Sequence, residues 1–396
     1  MAVVNVSTSL ISVFSSIKRC TESYHPSPKP VDPSRRQQQQ QGIEKDYRID
    51  IIARLRGQEI HVPDVSYIYA GWDVKVHPDV GELRQHLEGY FEKYISTESQ
   101  RKKQKKVDNA LCVGHFWTDV EKNKFAVLGE LVAWFFFWDD EIDCGILTND
   151  RDKTEAYCDD TLKFIKSCLQ PELGGEVPAP GRLHNCGPWE GIGRAMQEGQ
   201  SKEARDRFAA SIYGFITGVR TSQATWAVGM STFSEYTTRR LKTVGTDPCI
   251  AVMQWAYGLS LPPRIWDHEA TKAITREVAI GCFVWNDIVS LKKEIVDGDV
   301  DSTIPVLVWN EGISAQEAVD RCVKMAEESW GRLLEAEKRL IGVHIGETEQ
   351  IKRDIEVFIG GAKDVLVGHM LYSLLIPRNM KGARMGELDS SFKVVL

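Results

Sequence analysis

Helical periodicity is the feature that most narrows what this chain can fold into. Over residues 47–378, apolar residues recur every three or four positions, alternating segments are few, and the pattern breaks at glycine and proline. We therefore predict an all-α domain. The predicted helices include residues 81–96, 120–143, 201–227, 270–296, 314–340 and 347–375, with loops at 171–188 and 297–303. No repeat of fixed period is visible, which argues against a solenoid.

The first 46 residues differ in composition from the rest of the chain. They are rich in serine, proline and glutamine, and residues 37–41 are all glutamine. Such a composition buries too little apolar surface to offset the entropy lost on ordering. Residues 1–20 lack acids, as transit peptides do, but the first basic residue is Lys18 and the arginine-rich pattern is missing. We predict a disordered extension at 1–46, a helical domain at 47–380 and a tail at 381–396.

Charge and cysteine content narrow the classes of function. The net charge is −7 over 396 residues, so we expect no general attraction to nucleic acid or to an anionic membrane. The one basic run, residues 101–106, is interpreted as a solvated loop. The nine cysteines lie far apart without a C-x-x-C pair, which indicates reduced thiols and a cytoplasmic protein. The longest uncharged apolar stretch, 131–138, is shorter than the ~20 residues that span a bilayer.

Five aromatic residues at 134–138 run directly into four acids within 139–143. On a helix, Asp139 and Asp143 face the same way, and like charges at this spacing destabilise the helix. Gly145 is a suitable helix stop, which would place the carboxylates in the last turn, where the helix dipole also disfavours anions. The cluster is therefore unfavourable unless a cation binds, although a solvated helix end is the alternative interpretation.

A second polar stripe lies on an apolar helix. Asn286, Ser290 and Glu294 recur every four residues, so that an amide oxygen, a hydroxyl and a carboxylate share one helical face. Magnesium prefers such hard oxygen ligands, and this set leaves coordination positions for water or phosphate. Lys293 adds a point charge suited to a phosphate oxygen. An ordinary polar face is the alternative, but the preceding turns at 279–283 are apolar. Together the two clusters predict a metal–diphosphate mouth above an apolar pocket.

At these motifs the chain resembles class I terpene synthases, particularly the fungal and bacterial sesquiterpene type. The resemblance runs from about residue 77 to residue 378. The pattern Asp139-Asp140-x-x-Asp143 matches the aspartate-rich motif of that family. The pattern N-D-x-x-S-x-x-K-E, which begins at Asn286 and ends at Glu294, matches the second metal motif without a departure.

Two weaker matches concern arginines. The segment 235–245 resembles the one that carries the family's diphosphate-sensing arginine, and Arg240 lies at the expected separation before Asn286. We therefore favour Arg240 and interpret Arg239 as a surface residue or an ion-pair partner.

The second of these matches lies near the C-terminus. Residues 368–379 resemble the segment that ends in an Arg-Tyr pair in the family, but here Asn379 follows Arg378. This departure puts one hydrogen bond to diphosphate in question. Arg378 could still serve as a fork-shaped partner for phosphate oxygens.

The resemblance implies a helical bundle around an apolar cavity and three Mg²⁺ ions that bridge a prenyl diphosphate to both motifs. The implied metal ligands are Asp139, Asp143, Asn286, Ser290 and Glu294, and the implied diphosphate contacts are Arg240, Lys293 and Arg378. The catalytic set would be Asp139, Arg240, Asn286, Ser290 and Glu294. Ionisation would accompany closure of the site, because bulk water would quench the carbocation. Phe135, Phe136 and Phe283 are candidates for the cavity wall, and plain core packing is an equally open alternative for each of them.

Alternatives stay open at the level of sequence. A chain-elongating prenyltransferase would carry a second aspartate-rich motif instead of the Asn-Ser-Glu pattern. A phosphohydrolase with paired His and Asp ligands is disfavoured, because the pair Asp267-His268 has no matching partners. A non-catalytic helical protein that binds isoprenoids would use the motifs only structurally. Farnesyl diphosphate is the favoured substrate, with geranyl and geranylgeranyl diphosphates also open, and the resemblance implies a homodimer.

Overall fold

Sixteen α-helices and one small sheet make up the described part of the chain in the computed structural model. The structure describes residues 47–143, 147, 150–178, 186–226, 229–343, 346–376, 382–386 and 389–396. The disorder predicted for residues 1–46 lies outside these ranges. The helices are α1 (Tyr47–Leu55), α2 (Val80–Tyr94), α3 (Glu98–Val107), α4 (Asn109–Phe116), α5 (Lys122–Asp143), α6 (Arg151–Leu169), α7 (Trp189–Glu198), α8 (Lys202–Trp226), α9 (Phe233–Thr243), α10 (Thr246–Ala251), α11 (Met253–Ala256), α12 (Pro263–Trp266), α13 (Glu269–Asp297), α14 (Thr303–Glu311), α15 (Ala315–Gly342) and α16 (Glu349–Leu375).

The all-α prediction is confirmed, and each of the six long helices begins and ends within two residues of its predicted bounds. Their ends follow from capping chemistry. Ser314 and Glu317 form a reciprocal capping box at the start of α15, and Thr348 caps α16. Gly298 ends α13 in the left-handed conformation that glycine adopts without strain. Within the described ranges, no helix combines the length and apolar content needed to cross a bilayer.

Helix α13 carries the second motif and is buried along most of its length. It packs against α15 and α16, which supply the apolar faces that cover it. Trp285 is 1% exposed, and its indole nitrogen donates a hydrogen bond to the hydroxyl of Tyr69 at 2.6 Å. This bond avoids the cost in stability of an unpaired polar group inside the protein. The register of α13, and hence the direction of its polar stripe, is therefore set by the core.

A three-stranded antiparallel sheet joins the two ends of the described chain. Its strands are β1 (Glu59–Val62), β2 (Arg384–Met385) and β3 (Phe392–Val395), in the order β1-β3-β2. Phe392 and Val394 alternate inward, opposite Val62 and Ile60. Residues 381–396, which we set apart as a tail, thus contribute both β2 and β3. A strand this short gives too few alternating positions to stand out in the sequence.

The basic run at 101–106 is part of helix α3, which contradicts the predicted loop. Thr97 accepts a hydrogen bond from the backbone of Gln100 and begins the helix, and Asp108 ends it with a φ of 51°. Gln104 lies on the inward face of this helix and is only 2% exposed, although the five other residues of the run are charged. The prediction of a loop was wrong because a run of charged residues can form the exposed side of a helix whose other side is buried.

Close packing of α16 on α4 predicts opposite effects of alanine at two glycines of α16. A Cβ atom at Gly368 would lie 2.7 Å from the carbonyl oxygen of His115, whereas one at Gly360 would meet nothing closer than 3.9 Å. We expect Gly368→Ala to destabilise the protein by about 1–3 kcal/mol through overpacking. Gly360→Ala should stabilise it by up to ~1 kcal/mol through helix propensity. Thermal melting of both variants checks this, and equal melting temperatures would contradict the tight contact.

Candidate active site

A cavity of about 560 Å³ lies between α5, α8, α9, α13 and α16. Its wall is aromatic and aliphatic, with contributions from Phe116, Val132, Phe135, Phe136, Phe215 and Val219. Its mouth is polar and is lined by Asp139, Asp140, Arg240, Asn286, Ser290 and Glu294. Both predicted clusters thus border one cavity. The sequence indicated this arrangement because each cluster follows an apolar stretch on its own helix.

The first motif occupies the last turn of α5, where the helix dipole disfavours anions. Asp139 and Asp140 both line the cavity. Asp143 is the final residue of α5, and its side chain lies outside the described part of the structure. Gly145, the predicted helix stop, also falls outside the described residues.

Helix α3 provides a positive charge and hydrogen-bond donors to the acids of the first motif. The ammonium of Lys103 lies 2.8 Å from Oδ1 of Asp140, and the Gln104 amide donates to Oδ2 of Asp140 at 3.0 Å. Gln100 donates to Glu141 at 2.8 Å. The basic run therefore neutralises one carboxylate of the motif. Asp139, which precedes Asp140 on α5, also lines the cavity.

The second motif is joined by short hydrogen bonds along α13. Oγ of Ser290 lies 2.6 Å from the backbone oxygen of Asn286 and 2.6 Å from Oε1 of Glu294. Burial, together with the nearby carboxylates of Asp299 and Asp287, raises the pKa of Glu294 to about 8. Its second oxygen, Oε2, is buried with no hydrogen-bond partner of normal geometry among the described residues. A cation beside Glu294 would relieve this unfavourable charge.

Asp287 is a buried acid whose role sequence reasoning missed. It is fully buried, and its Oδ2 accepts hydrogen bonds from the hydroxyl of Tyr236 and from the backbone nitrogen and hydroxyl of Thr303. Its Oδ1 lies 3.2 Å from the Arg240 guanidinium. Asp287 thus ties α9, α13 and α14 together and positions Arg240. The only signal in the sequence was a carboxylate on the apolar side of α13, one residue beyond Asn286.

The two neighbouring arginines of α9 have different partners. Arg240 donates to Oδ1 of Asn286 at 2.6 Å, while Arg239 pairs with Asp301 and donates to the hydroxyl of Ser231 at 2.9 Å. Burial alone would lower the pKa of Arg240, but the Asp287 carboxylate raises it above the usual range. Arg240 is therefore charged and touches the second motif, as its favoured role requires. Arg239 is an ion-pair partner, although a partly buried one that also borders the cavity.

The remaining predicted residues have mixed outcomes. Lys293 lines the cavity and lies 3.3 Å from Asp297. Arg378 and Asn379 lie outside the described residues. Phe135 and Phe136 border the cavity, but Phe283 is fully buried in the core, where its ring meets Tyr236 edge to face at 6.4 Å. Phe283 is not among the residues that line the cavity, which supports the alternative of plain core packing for this ring.

The donor set fits a hard divalent cation. Ser290 donates its hydroxyl proton to Glu294, which leaves its oxygen lone pairs for a metal, and the orphaned Oε2 of Glu294 lies one helical turn away. Asn286 adds an amide oxygen on the same stripe. No three His, Cys, Asp or Glu side chains converge as a metal cluster within the described ranges. The second motif is instead a mixed oxygen set, which is the type that magnesium accepts.

Comparison with known proteins points to one family. Residues 130–332 match the family described as terpene synthase family 2, C-terminal metal binding, and this span includes both motifs. The chain is 27% identical to the terpene cyclase braA of Annulohypoxylon truncatum, with 86% of this chain and 92% of that protein covered. It is 24% identical to the sesquiterpene cyclase hepA of Aspergillus oryzae, with 87% and 95% covered.

Solved structures share the fold at lower sequence identity. The chain matches α-eudesmol synthase with a TM-score of 0.67 at 20% identity, over 77% of this chain and 97% of that one. It matches wild-type cucumene synthase with a TM-score of 0.66 at 18% identity, over 76% and 98%. These likenesses extend the family match from sequence to the arrangement of the helices.

Proposed function

Because the chain belongs to terpene synthase family 2, whose pattern spans residues 130–332, we propose that it is a magnesium-dependent cyclase that converts farnesyl diphosphate to a sesquiterpene. The family match confirms the resemblance to terpene synthases that the two motifs indicated. Terpene cyclisation is supported by relatives named as terpene and sesquiterpene cyclases, and a metal cofactor by the description of the family. Magnesium, a count of three ions and the farnesyl chain are the finer parts of this proposal.

One observation supports the proposal most strongly. A single cavity is bordered by Asp139, by the Asn286–Ser290–Glu294 stripe and by Arg240 at its polar mouth, and by aromatic rings below. A prenyl diphosphate has the same division into an anionic head and an apolar tail. The mouth matches the charge of the diphosphate, and the wall matches the hydrocarbon chain.

The polar mouth holds the leaving group in this proposal. Asp139 and Asp143 on α5, and Asn286, Ser290 and Glu294 on α13, would hold the metal, which when bound supplies Lewis-acid stabilisation of charge on the leaving oxygens. Arg240, Lys293 and Arg378 donate hydrogen bonds to the diphosphate, and Asp287 keeps the Arg240 guanidinium at the second motif.

The wall below directs the carbocation. It is lined by Phe135, Phe136 and Phe215, whose rings stabilise positive charge without acting as nucleophiles. The shape of the wall folds the prenyl chain of the substrate so that particular carbon atoms approach one another. The absence of bulk water preserves the cation until it is quenched.

The proposal predicts metal-dependent turnover by the full-length protein. Purified enzyme incubated with farnesyl diphosphate and Mg²⁺ should release pyrophosphate together with a cyclic hydrocarbon, and chelation of the metal should stop both. Geranyl and geranylgeranyl diphosphates, tested in parallel, identify the chain length. Elongated prenyl diphosphates formed with added isopentenyl diphosphate would indicate a prenyltransferase instead. Absence of pyrophosphate from all three substrates would indicate a non-catalytic binding protein.

A further inference from the structure

His369 borders the cavity from α16, a helix that carries neither of the two metal motifs. Its ring lies 6.3 Å from that of Phe116, another residue of the apolar wall. The residue keeps accessible surface because it faces the cavity, yet its Nδ1 is buried and has no hydrogen-bond partner among the described residues. Buried polar groups are normally paired, so a ring nitrogen without a partner beside an apolar wall is unusual.

The imidazole is neutral in this environment. Burial lowers the pKa of His369 to about 4, and the positive charge of Arg240 acts in the same direction. A neutral imidazole carries one nitrogen lone pair and can accept a proton. A low pKa does not prevent this, because a carbocation is a far stronger acid than an imidazolium ion.

The other described groups on the wall are poorly suited to accept a proton. Burial raises the pKa of the Cys112 thiol, and the same is true of Cys249, so both stay protonated and uncharged. The hydroxyl of Tyr372 donates to the backbone oxygen of Val107 at 2.7 Å. The carboxylates that border the cavity belong to the mouth, to the last residue of α13 and to the loop that follows it. His369 is the one imidazole among the described residues that line the cavity.

We propose that His369 is the base that ends the reaction by removing a proton from the cyclised carbocation. This inference rests on the proposed terpene cyclase function and deepens it, because it assigns the step that decides which alkene leaves the enzyme. A C–H bond next to the cationic carbon breaks, and its electron pair becomes the π bond of the product. The proton forms an N–H bond on the imidazole.

Charge is conserved in this proton transfer. The carbocation and the neutral imidazole become a neutral alkene and an imidazolium ion, so no further reactant is needed. Arg240 and the apolar surroundings disfavour the imidazolium, so His369 returns its proton to water once the site opens and product leaves. The base is then restored for the next turnover.

The test compares His369→Phe and His369→Asn with the wild-type enzyme on the prenyl diphosphate that it ionises. Phenylalanine keeps a planar ring but removes the base, whereas asparagine keeps polarity and reduces volume. Because ionisation precedes the proposed step, we expect pyrophosphate release in both variants to stay within about threefold of wild type. The share of the wild-type alkene should fall by about tenfold or more, with isomeric alkenes or alcohols formed from the same cation.

The possible outcomes distinguish the role of His369 as a base from the proposed cyclase function. If His369→Phe keeps the wild-type product while His369→Asn changes it, the ring acts only by shape and the base role is overturned. A parallel loss of pyrophosphate release and of helical circular dichroism in both variants would also overturn it, because the residue would then be structural. If the wild-type enzyme releases pyrophosphate from no prenyl diphosphate, the proposed function fails and this inference fails with it.

Discussion

Glutamine in place of Glu294 is expected to reduce turnover of farnesyl diphosphate by about 10²-fold or more, the size of effect seen when one charge-stabilising group is removed. The substitution preserves shape and the contact with Ser290 but removes the carboxylate charge that a cation would bind. Steady-state pyrophosphate release at saturating Mg²⁺ measures the loss.

A second readout of Glu294→Gln does not depend on turnover. The wild-type carboxylate is crowded by Asp299 and Asp287, so its neutralisation should not lower the melting temperature in metal-free buffer. The rise in melting temperature on addition of Mg²⁺ and pyrophosphate should be smaller than in wild type.

Glu269→Gln provides a matched control. It makes the same chemical change in the first turn of the same helix, α13, where the side chain is exposed. We expect its turnover to stay within about threefold of wild type. Wild-type turnover and wild-type stabilisation by Mg²⁺ in Glu294→Gln would remove this residue from the metal site.

Alanine in place of Asp287 is expected to cause the largest loss of stability. The carboxylate is fully buried and hydrogen-bonded to Tyr236, Thr303 and Arg240, so its removal leaves two buried donors and a partly buried guanidinium without their anionic partner. Removing one member of a buried pair costs about 3–5 kcal/mol. Chemical denaturation followed by circular dichroism measures the free energy of unfolding.

Asp297→Ala is the control for this second prediction. It deletes an exposed carboxylate at the end of the same helix, where it lies near Lys293. A surface ion pair of this kind contributes at most about 1 kcal/mol, so the control should melt close to wild type. Equal unfolding free energies for Asp287→Ala and Asp297→Ala would show that the buried network around Asp287 does not contribute the expected stability.

Features that lie within one helix could be predicted well from the sequence. The stripe of Asn286, Ser290 and Glu294 depends only on 3.6-residue periodicity, and its hydrogen bonds along α13 follow that spacing. The bounds of the long helices were also predictable, because their caps and glycines are local signals. The roles assigned to the motif residues in binding metal and diphosphate stay predictions.

Features that join separate helices could not be predicted in this way. No sequence spacing relates Lys103 to Asp140, and a run of charges without visible partners suggested a loop. The position of Phe283 before Asn286 left a place in the cavity wall and a place in the core equally open, and only the packing of α13 decided for the core. The partners of Asp287 lie on α9 and α14, far from it in sequence.

The sequence by itself determined that this chain forms long helices, that two of them carry oxygen-rich motifs, and that both motifs follow apolar stretches. Only the tertiary structure decided that α3 would neutralise Asp140, that Asp287 would anchor Arg240, and that His369 would face an apolar wall. The physical reason is the separation along the sequence over which each kind of interaction acts. Periodicity and capping act over three or four residues, whereas burial, charge pairing and cavity shape arise where distant segments pack together.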